Sequence, residues 1–148
     1  MKGDLKKLYS EIIRHHNESP FHFQKMEQAP HILKAYNPVC GDRFELYLAN
    51  EGNRISQIHF YGFGCAVSKA STSIMVKSLE GKSLQEANTI CNDYLGFIQQ
   101  EKMEGKPDLA DDFKAFSGVH DFPERRECAT LSWTEMQKFI QSGIEETK

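Results

Sequence analysis

Between Arg43 and Gly62 the sequence runs RFELYLANEGNRISQIHFYG, and its apolar residues recur at every second position. Phe44, Leu46 and Leu48 alternate with Glu45, Tyr47 and Ala49, the period of a strand with one buried face. Asn50-Glu51-Gly52-Asn53 supplies a turn, and Ile58 and Phe60 carry the returning strand. Ile55 falls out of phase with them, so a bulge or an early strand edge is expected beside the turn. A two-stranded hairpin is marginal alone in water, so the rest of the chain must cover its apolar face or extend it.

Helical periodicity supplies that cover. A first helix carries Leu5, Leu8, Tyr9, Ile12 and Ile13, with Asp4 as its N-cap. After the hairpin, Val67, Ala70, Ile74, Met75 and Leu79 make a stripe that Gly81 stops. Ser83 and Glu86 form a capping box for a helix whose apolar face is Leu84, Ala87, Cys91, Tyr94, Leu95 and Ile98, ending at Glu104–Pro107. A short helix is expected at Leu109, Phe113 and Phe116. The last helix is expected to start at Ser132, capped with Glu135, with Leu131 and Met136 at staple spacing. Residues 17–39 hold Pro20, Pro30 and Pro38 and read as connecting loop, with a third strand within 28–38. The class is α+β, in one domain spanning residues 1–148.

At 148 residues, with 39% hydrophobic and 26% charged, the chain can bury one core. A net charge of -3 gives no basic surface for nucleic acid. No apolar run approaches a spanning helix, and the N-terminus lacks a secretory signal's apolar core. The expected setting is therefore cytoplasmic and reducing, where cysteine clusters favour metal or redox chemistry over disulfides.

The four cysteines separate by environment. Cys91 lies on an apolar helical stripe and is expected to pack in the core. Cys40 precedes Gly41 at the start of the hairpin, Cys65 follows Gly62-Phe63-Gly64 and opens a helix, and Cys128 stands in a polar stretch read as loop. None of these three falls on an apolar period. With Asp42 they supply the four donors of a tetrahedral zinc site. Without a Cys-x-x-Cys pair the spacing alone does not decide, and three unrelated thiols with Asp42 capping a turn remain the alternative. His15, His16, His22 and His31 read as exposed or capping residues, His59 as outward-facing on the second strand, and His120 as the histidine nearest Cys128 in sequence.

Three runs carry a family resemblance: NPVCGD at 37–42, GFGCAVSKASTS at 62–73 and ECATLSW at 127–133. In this order they resemble the cysteine signatures of the SufU branch of the IscU/NifU-like family. The resemblance implies a small, mostly antiparallel sheet with helices packed on one side. It implies Cys40, Asp42, Cys65 and Cys128 as ligands of one metal ion, and a basic residue at Arg125 that steadies the thiolates or meets a partner. Scaffold-type members carry a histidine before the third cysteine and a Leu-Pro-Pro-Val-Lys tag. Here that neighbour is Glu127, after DFPERRE, and residues near 96–118 look inserted. The SufU branch implies zinc and a sulfurtransferase role. Cys40 then accepts persulfide sulfur from a SufS-type, pyridoxal-phosphate-dependent cysteine desulfurase and passes it to a downstream sulfur or cluster acceptor. The alternatives are a scaffold building a 2Fe–2S cluster on the same ligands, or a zinc ion that only staples loops. Glu124 and Glu127 depart from the branch's charge pattern and bear on partner docking.

Overall fold

The computed structural model describes residues 2–99 and 110–146. In chain order the elements are α1 (Lys2–Glu18), β1 (His31–Asn37), β2 (Asp42–Glu51), β3 (Arg54–Phe63), α2 (Ala66–Leu79), α3 (Leu84–Gln99), α4 (Asp111–Lys114), a 3-10 turn (Ser117–Asp121) and α5 (Pro123–Glu146). The strands form one antiparallel sheet in the order β1-β2-β3. The expected bulge is present: Ala49 pairs with Gln57 but Asn50 pairs with Ile55, leaving Ser56 as the extra residue. Its hydroxyl closes the irregularity by donating to the Ala49 carbonyl at 3.0 Å. The bulge shifts the strand's phase and brings Ile55 into the core beside Ile58 and Phe60.

The third strand, β1, falls inside the 28–38 window. Its pairing runs from His31 with Leu48 to Asn37 with Asp42, so both ends of β1 and β2 are fixed in register. Phe23 adds a single parallel bridge to Phe60 at the opposite edge. Ala35, Phe44, Leu46, Leu48, Ile58 and Phe60 are fully buried on the inner face. There α5 lies over β1 and α2 over β3, with α1 against α2 and α3 against α5. The capping box of α3 is made in both directions, Glu86 N–H to Ser83 Oγ at 3.1 Å and Ser83 N–H to Glu86 Oε1 at 3.2 Å.

Three consecutive hydroxyls of α2 tie it to three other helices. Ser71 Oγ donates to the Ala129 carbonyl at 2.6 Å, lies 3.1 Å from Tyr94 Oη and accepts from Trp133 Nε1 at 3.1 Å. Thr72 Oγ1 meets Ser132 Oγ at 2.7 Å. Ser73 Oγ meets His16 Nδ1 at 2.7 Å and accepts the Phe21 N–H at 2.8 Å. Buried hydroxyls must be satisfied, and here each is satisfied across an interface rather than within its own helix alone.

Four expectations change. The last helix begins at Pro123 and not at Ser132, so Cys128 is helical. Proline suits the first helical position, and the Phe122 carbonyl accepts the Arg125 and Arg126 N–H groups. Ser132 is an interior residue whose hydroxyl is used by Thr72, so its spacing to Glu135 imitates a cap without making one. α1 starts at Lys2, which places Asp4 inside the helix rather than at its cap. Residues 17–39 are less loop than expected, since they include the end of α1 and all of β1. Glu104–Pro107 and Leu109 lie outside the described residues, while Phe113 and Phe116 of the short helical segment are buried.

His16 also departs from the exposed reading, since it is only 6% exposed against Ser73. Because Ser73 Oγ already accepts from Phe21, its own hydrogen is free to donate to Nδ1, which suits a neutral ring. Burial lowers the His16 pKa below 6.5, with Asp112 opposing the shift and Lys77 and His15 adding to it. Protons then bind the unfolded chain more readily, so this contribution is present above pH 6.5 and is lost as pH falls below it. Urea midpoints should drop between about pH 7.5 and pH 5.5 in the wild-type chain, and less steeply in His16→Gln. Equal slopes in the two proteins would remove His16 as a source of acid sensitivity.

Candidate metal centre

Cys40 sits in the turn joining β1 to β2 and is exposed. The turn is closed by Gly41 N–H to the Asn37 carbonyl at 2.8 Å and by Val39 N–H to Asn37 Oδ1 at 3.2 Å. Gly41 takes φ +78°, a left-handed conformation that favours glycine. Asp42 follows as the first residue of β2 and is fully buried. Its Oδ1 accepts the Cys65 N–H at 3.0 Å, while its buried Oδ2 has no hydrogen-bond partner among the described residues.

Cys65 is the N-cap of α2, and its Sγ accepts the Ser68 N–H at 3.4 Å. Ser68 Oγ stands 3.5 Å from the same sulfur. Cys128 lies in the second turn of α5, 6% exposed, with its Sγ 3.7 Å from Cys40 Sγ. Burial pushes its thiol pKa well up, and the neighbouring Cys65, Cys40 and Asp42 push it further. The donor atoms of Cys40, Asp42 and Cys128 all lie within 4.8 Å of one another. Cys65 adjoins this triangle through its backbone bond to Asp42, with its sulfur turned toward Ser68.

Three sulfurs and one carboxylate form a soft donor set with one hard oxygen, the chemistry of a zinc or iron–sulfur site. The unpartnered Oδ2 of Asp42 is the stronger sign. A fully buried carboxyl oxygen without a donor is costly unless a cation occupies its free side. These residues therefore fit a bound metal ion.

Other sequence candidates fall elsewhere. Cys91 is fully buried among α3 core residues, and burial pushes its thiol pKa to about 12. Arg125 is exposed, its guanidinium 6.0 Å from the centre of the Phe122 ring, and it is not among the groups that shift Cys128. His120 belongs to the 3-10 turn. Sequence reasoning passed over Ser68 and Gly64. Ser68 was detectable, because it stands three residues after a helix-capping Cys65, the usual spacing of a capping partner.

Gly64 is required by crowding. A Cβ there would stand 2.5 Å from Ser68 Oγ, 2.7 Å from Asp42 Oδ1 and 2.8 Å from Phe44 Cε2. Gly64→Ala should displace Asp42 or the Cys65 cap, costing about 1–3 kcal/mol as overpacking does and weakening metal uptake. Gly96→Ala, where a Cβ meets nothing within 4 Å, is the control. Equal zinc content and urea midpoints in the two variants would show that the Asp42–Cys65 corner tolerates a methyl group.

Comparison with known proteins identifies the family. Residues 8–138 match the model of the NifU-like N-terminal domain. A Bacillus subtilis protein named zinc-dependent sulfurtransferase SufU is 32% identical over 138 residues, covering 93% of this chain and 92% of its own length. A Streptococcus pyogenes protein named iron–sulfur cluster assembly scaffold protein IscU is 29% identical over 137 residues, covering 93% and 85%. Among solved structures, a SufU described as a putative iron–sulfur cluster assembly scaffold for the SUF system, from Fervidobacterium islandicum, superposes with a TM-score of 0.78. It is 29% identical and covers 88% of this chain and 95% of its own. The chain belongs to the NifU-like N-terminal domain family, and its relatives within that family carry both SufU and IscU names.

Proposed function

We propose that this chain is a sulfur carrier in iron–sulfur cluster biogenesis, accepting persulfide sulfur on Cys40 from a SufS-type, pyridoxal-phosphate-dependent cysteine desulfurase. Cys40, Asp42, Cys65 and Cys128 are the proposed ligands of a zinc ion. The observation that carries this reading is the contrast within the cluster: Asp42 and Cys128 are buried, Cys65 is exposed but caps α2, and Cys40 is exposed on a turn. A zinc ion bound there would keep thiolates deprotonated and exchange one ligand for another without redox change. Freed from the cluster, the Cys40 thiolate attacks the outer sulfur of the desulfurase persulfide. A Cys40–sulfur bond forms, the donor's sulfur–sulfur bond breaks, and the donor cysteine leaves as thiolate. Asp42, Cys65 and Cys128 stay on the folded elements that hold them.

Docking is supported by exposed apolar residues next to the site in sequence. Val39, beside Cys40, is 88% exposed, and Phe63, two residues before Cys65, is 63% exposed. The relative named as a zinc-dependent sulfurtransferase supports the same reading. A second reading, a scaffold for a 2Fe–2S cluster on the same ligands, is favoured by the relative named IscU, which matches nearly the same span.

Metal analysis of protein purified without oxygen separates the two. The carrier reading expects about one zinc per chain, by the four-donor count, and no visible chromophore. Brown protein with labile sulfide would favour the scaffold. Cys65→Ser and Cys128→Ser should lose most of the metal, and Cys91→Ser should keep it while losing some core stability. Metal loss in Cys91→Ser as complete as in Cys65→Ser would overturn the ligand assignment.

A further inference from the structure

We infer that Cys40 and Cys128 act as a dithiol pair which, in the metal-free chain, discharges a persulfide on Cys40 as hydrogen sulfide and leaves a Cys40–Cys128 disulfide. The inference builds on Cys40 as the sulfur carrier, but the discharge step is separate from delivery by a desulfurase. The two sulfurs are 3.7 Å apart, already in contact. A disulfide is about 2.05 Å long, so closure needs a shift of less than about 2 Å. The Cys40 turn can supply that shift, because it is exposed and held by two short-range bonds to Asn37.

Access assigns the two roles. A sulfur donor in solution reaches exposed Cys40, whereas Cys128 is 6% exposed and faces Cys40 from α5. Cys65 is exposed as well and neighbours Cys128, but its sulfur caps α2 by accepting the Ser68 N–H, so it lacks the freedom of the Cys40 turn. Cys91 is fully buried on α3 and out of reach of donors.

The step balances without an outside oxidant. The Cys128 sulfur attacks the inner sulfur of the persulfide, which is Cys40 Sγ. The bond between Cys40 Sγ and the outer sulfur breaks as the Cys40–Cys128 bond forms. The outer sulfur leaves with the electron pair as hydrosulfide and takes up the Cys128 proton. Two cysteine sulfurs are oxidised and one sulfane sulfur is reduced to sulfide. A dithiol reductant then reopens the pair. Metal ligation would damp the Cys128 sulfur as a nucleophile and hold it in place, so loading of the site would decide whether carried sulfur is kept or released.

The test uses the full chain, stripped of metal with a chelator and kept free of oxygen. It receives a short pulse of inorganic polysulfide, then gel filtration without reductant. The wild-type chain should release one sulfide per chain, matching the one-sulfur step, and end two hydrogens lighter than its dithiol form. A non-reducing peptide map should join the Cys40 and Cys128 peptides. Cys128→Ser and Cys128→Ala should keep the added sulfur on Cys40, and Cys91→Ser should discharge like the wild type. Zinc added before the pulse should suppress discharge. A wild-type chain that keeps its sulfur, a disulfide joining Cys40 to Cys65, or discharge from Cys128→Ala at the wild-type rate would each overturn the pair, and the peptide map decides even where a variant folds poorly. Replacing polysulfide with a desulfurase and cysteine separates the two ideas. In that arm, no sulfur on Cys40 of Cys128→Ala, which lacks the discharging thiol, removes the carrier reading, while the polysulfide arm still judges the pair.

Discussion

Cys40→Ser should return a SufS-type desulfurase to the rate it shows without this chain, while leaving the fold essentially intact. Serine occupies similar space in an exposed turn, so in the metal-free chain the stability change should stay within about 0.5 kcal/mol. Its hydroxyl is a far poorer nucleophile at neutral pH than a thiolate, so the loss of sulfur acceptance should be complete within detection. Alanine production from cysteine measures turnover, and mass spectrometry of the Cys40 peptide measures the carried sulfur. Undiminished stimulation by Cys40→Ser would sink the carrier mechanism and leave a structural metal site.

Asp42→Asn should move metal affinity and metal-free stability in opposite directions. Asparagine keeps an oxygen for the Cys65 N–H, the bond made at 3.0 Å by the acid. It replaces the unpartnered Oδ2, however, with an amide that is a poor metal ligand. Outer-shell changes alone cost 10–100-fold in metal affinity, so loss of a direct ligand should cost about 100-fold or more. The new amide can donate to the nearby sulfurs of Cys40 and Cys128, as Oδ2 cannot. The metal-free variant should therefore unfold at higher urea than the metal-free wild type, by about 1–3 kcal/mol, the usual cost of an unsatisfied buried polar group. Competition with a zinc chelator and urea titration of chelated protein give the two quantities. A drop in both would mean that Oδ2 holds the fold together in some way other than through a cation.

The β2–β3 hairpin was legible because period-two alternation and a glycine turn agree, and even its bulge left a trace in the phase of Ile55. The first strand was harder. Ile32 and Tyr36 are large, apolar and exposed on the open face, so burial and exposure did not alternate with polarity. Prolines at 30 and 38 read as loop, but they bracket the strand without entering it. The start of α5 was misplaced for a related reason. The polar residues from Glu124 to Glu127 are a solvated first turn after Pro123, whereas Ser132 has a cap's spacing to Glu135 but serves an interhelical bond to Thr72. The separation of Cys40, Cys65 and Cys128 from Cys91 needed no helix boundary, since it rested on apolar period, and Asp42 joined them by its spacing from Cys40. The orientation of Cys65 toward Ser68, the crowding at Gly64 and the orphaned oxygen of Asp42 are facts of three-dimensional packing that no spacing rule encodes.

The three hydroxyls of α2 also have a mechanical consequence. Ser71, Thr72 and Ser73 brace the helix that begins at Cys65 against α1, α3 and α5, and Ser71 grips the carbonyl of Ala129, next to Cys128. One wall of the cluster is therefore stiff, and the compliance of the whole site is concentrated in the few residues around Cys40. Amide exchange should be slowest along the braced part of α2 and fastest from Val39 to Gly41. A chain built this way can surrender one sulfur to an approaching partner many times over while the helices behind it keep their spacing.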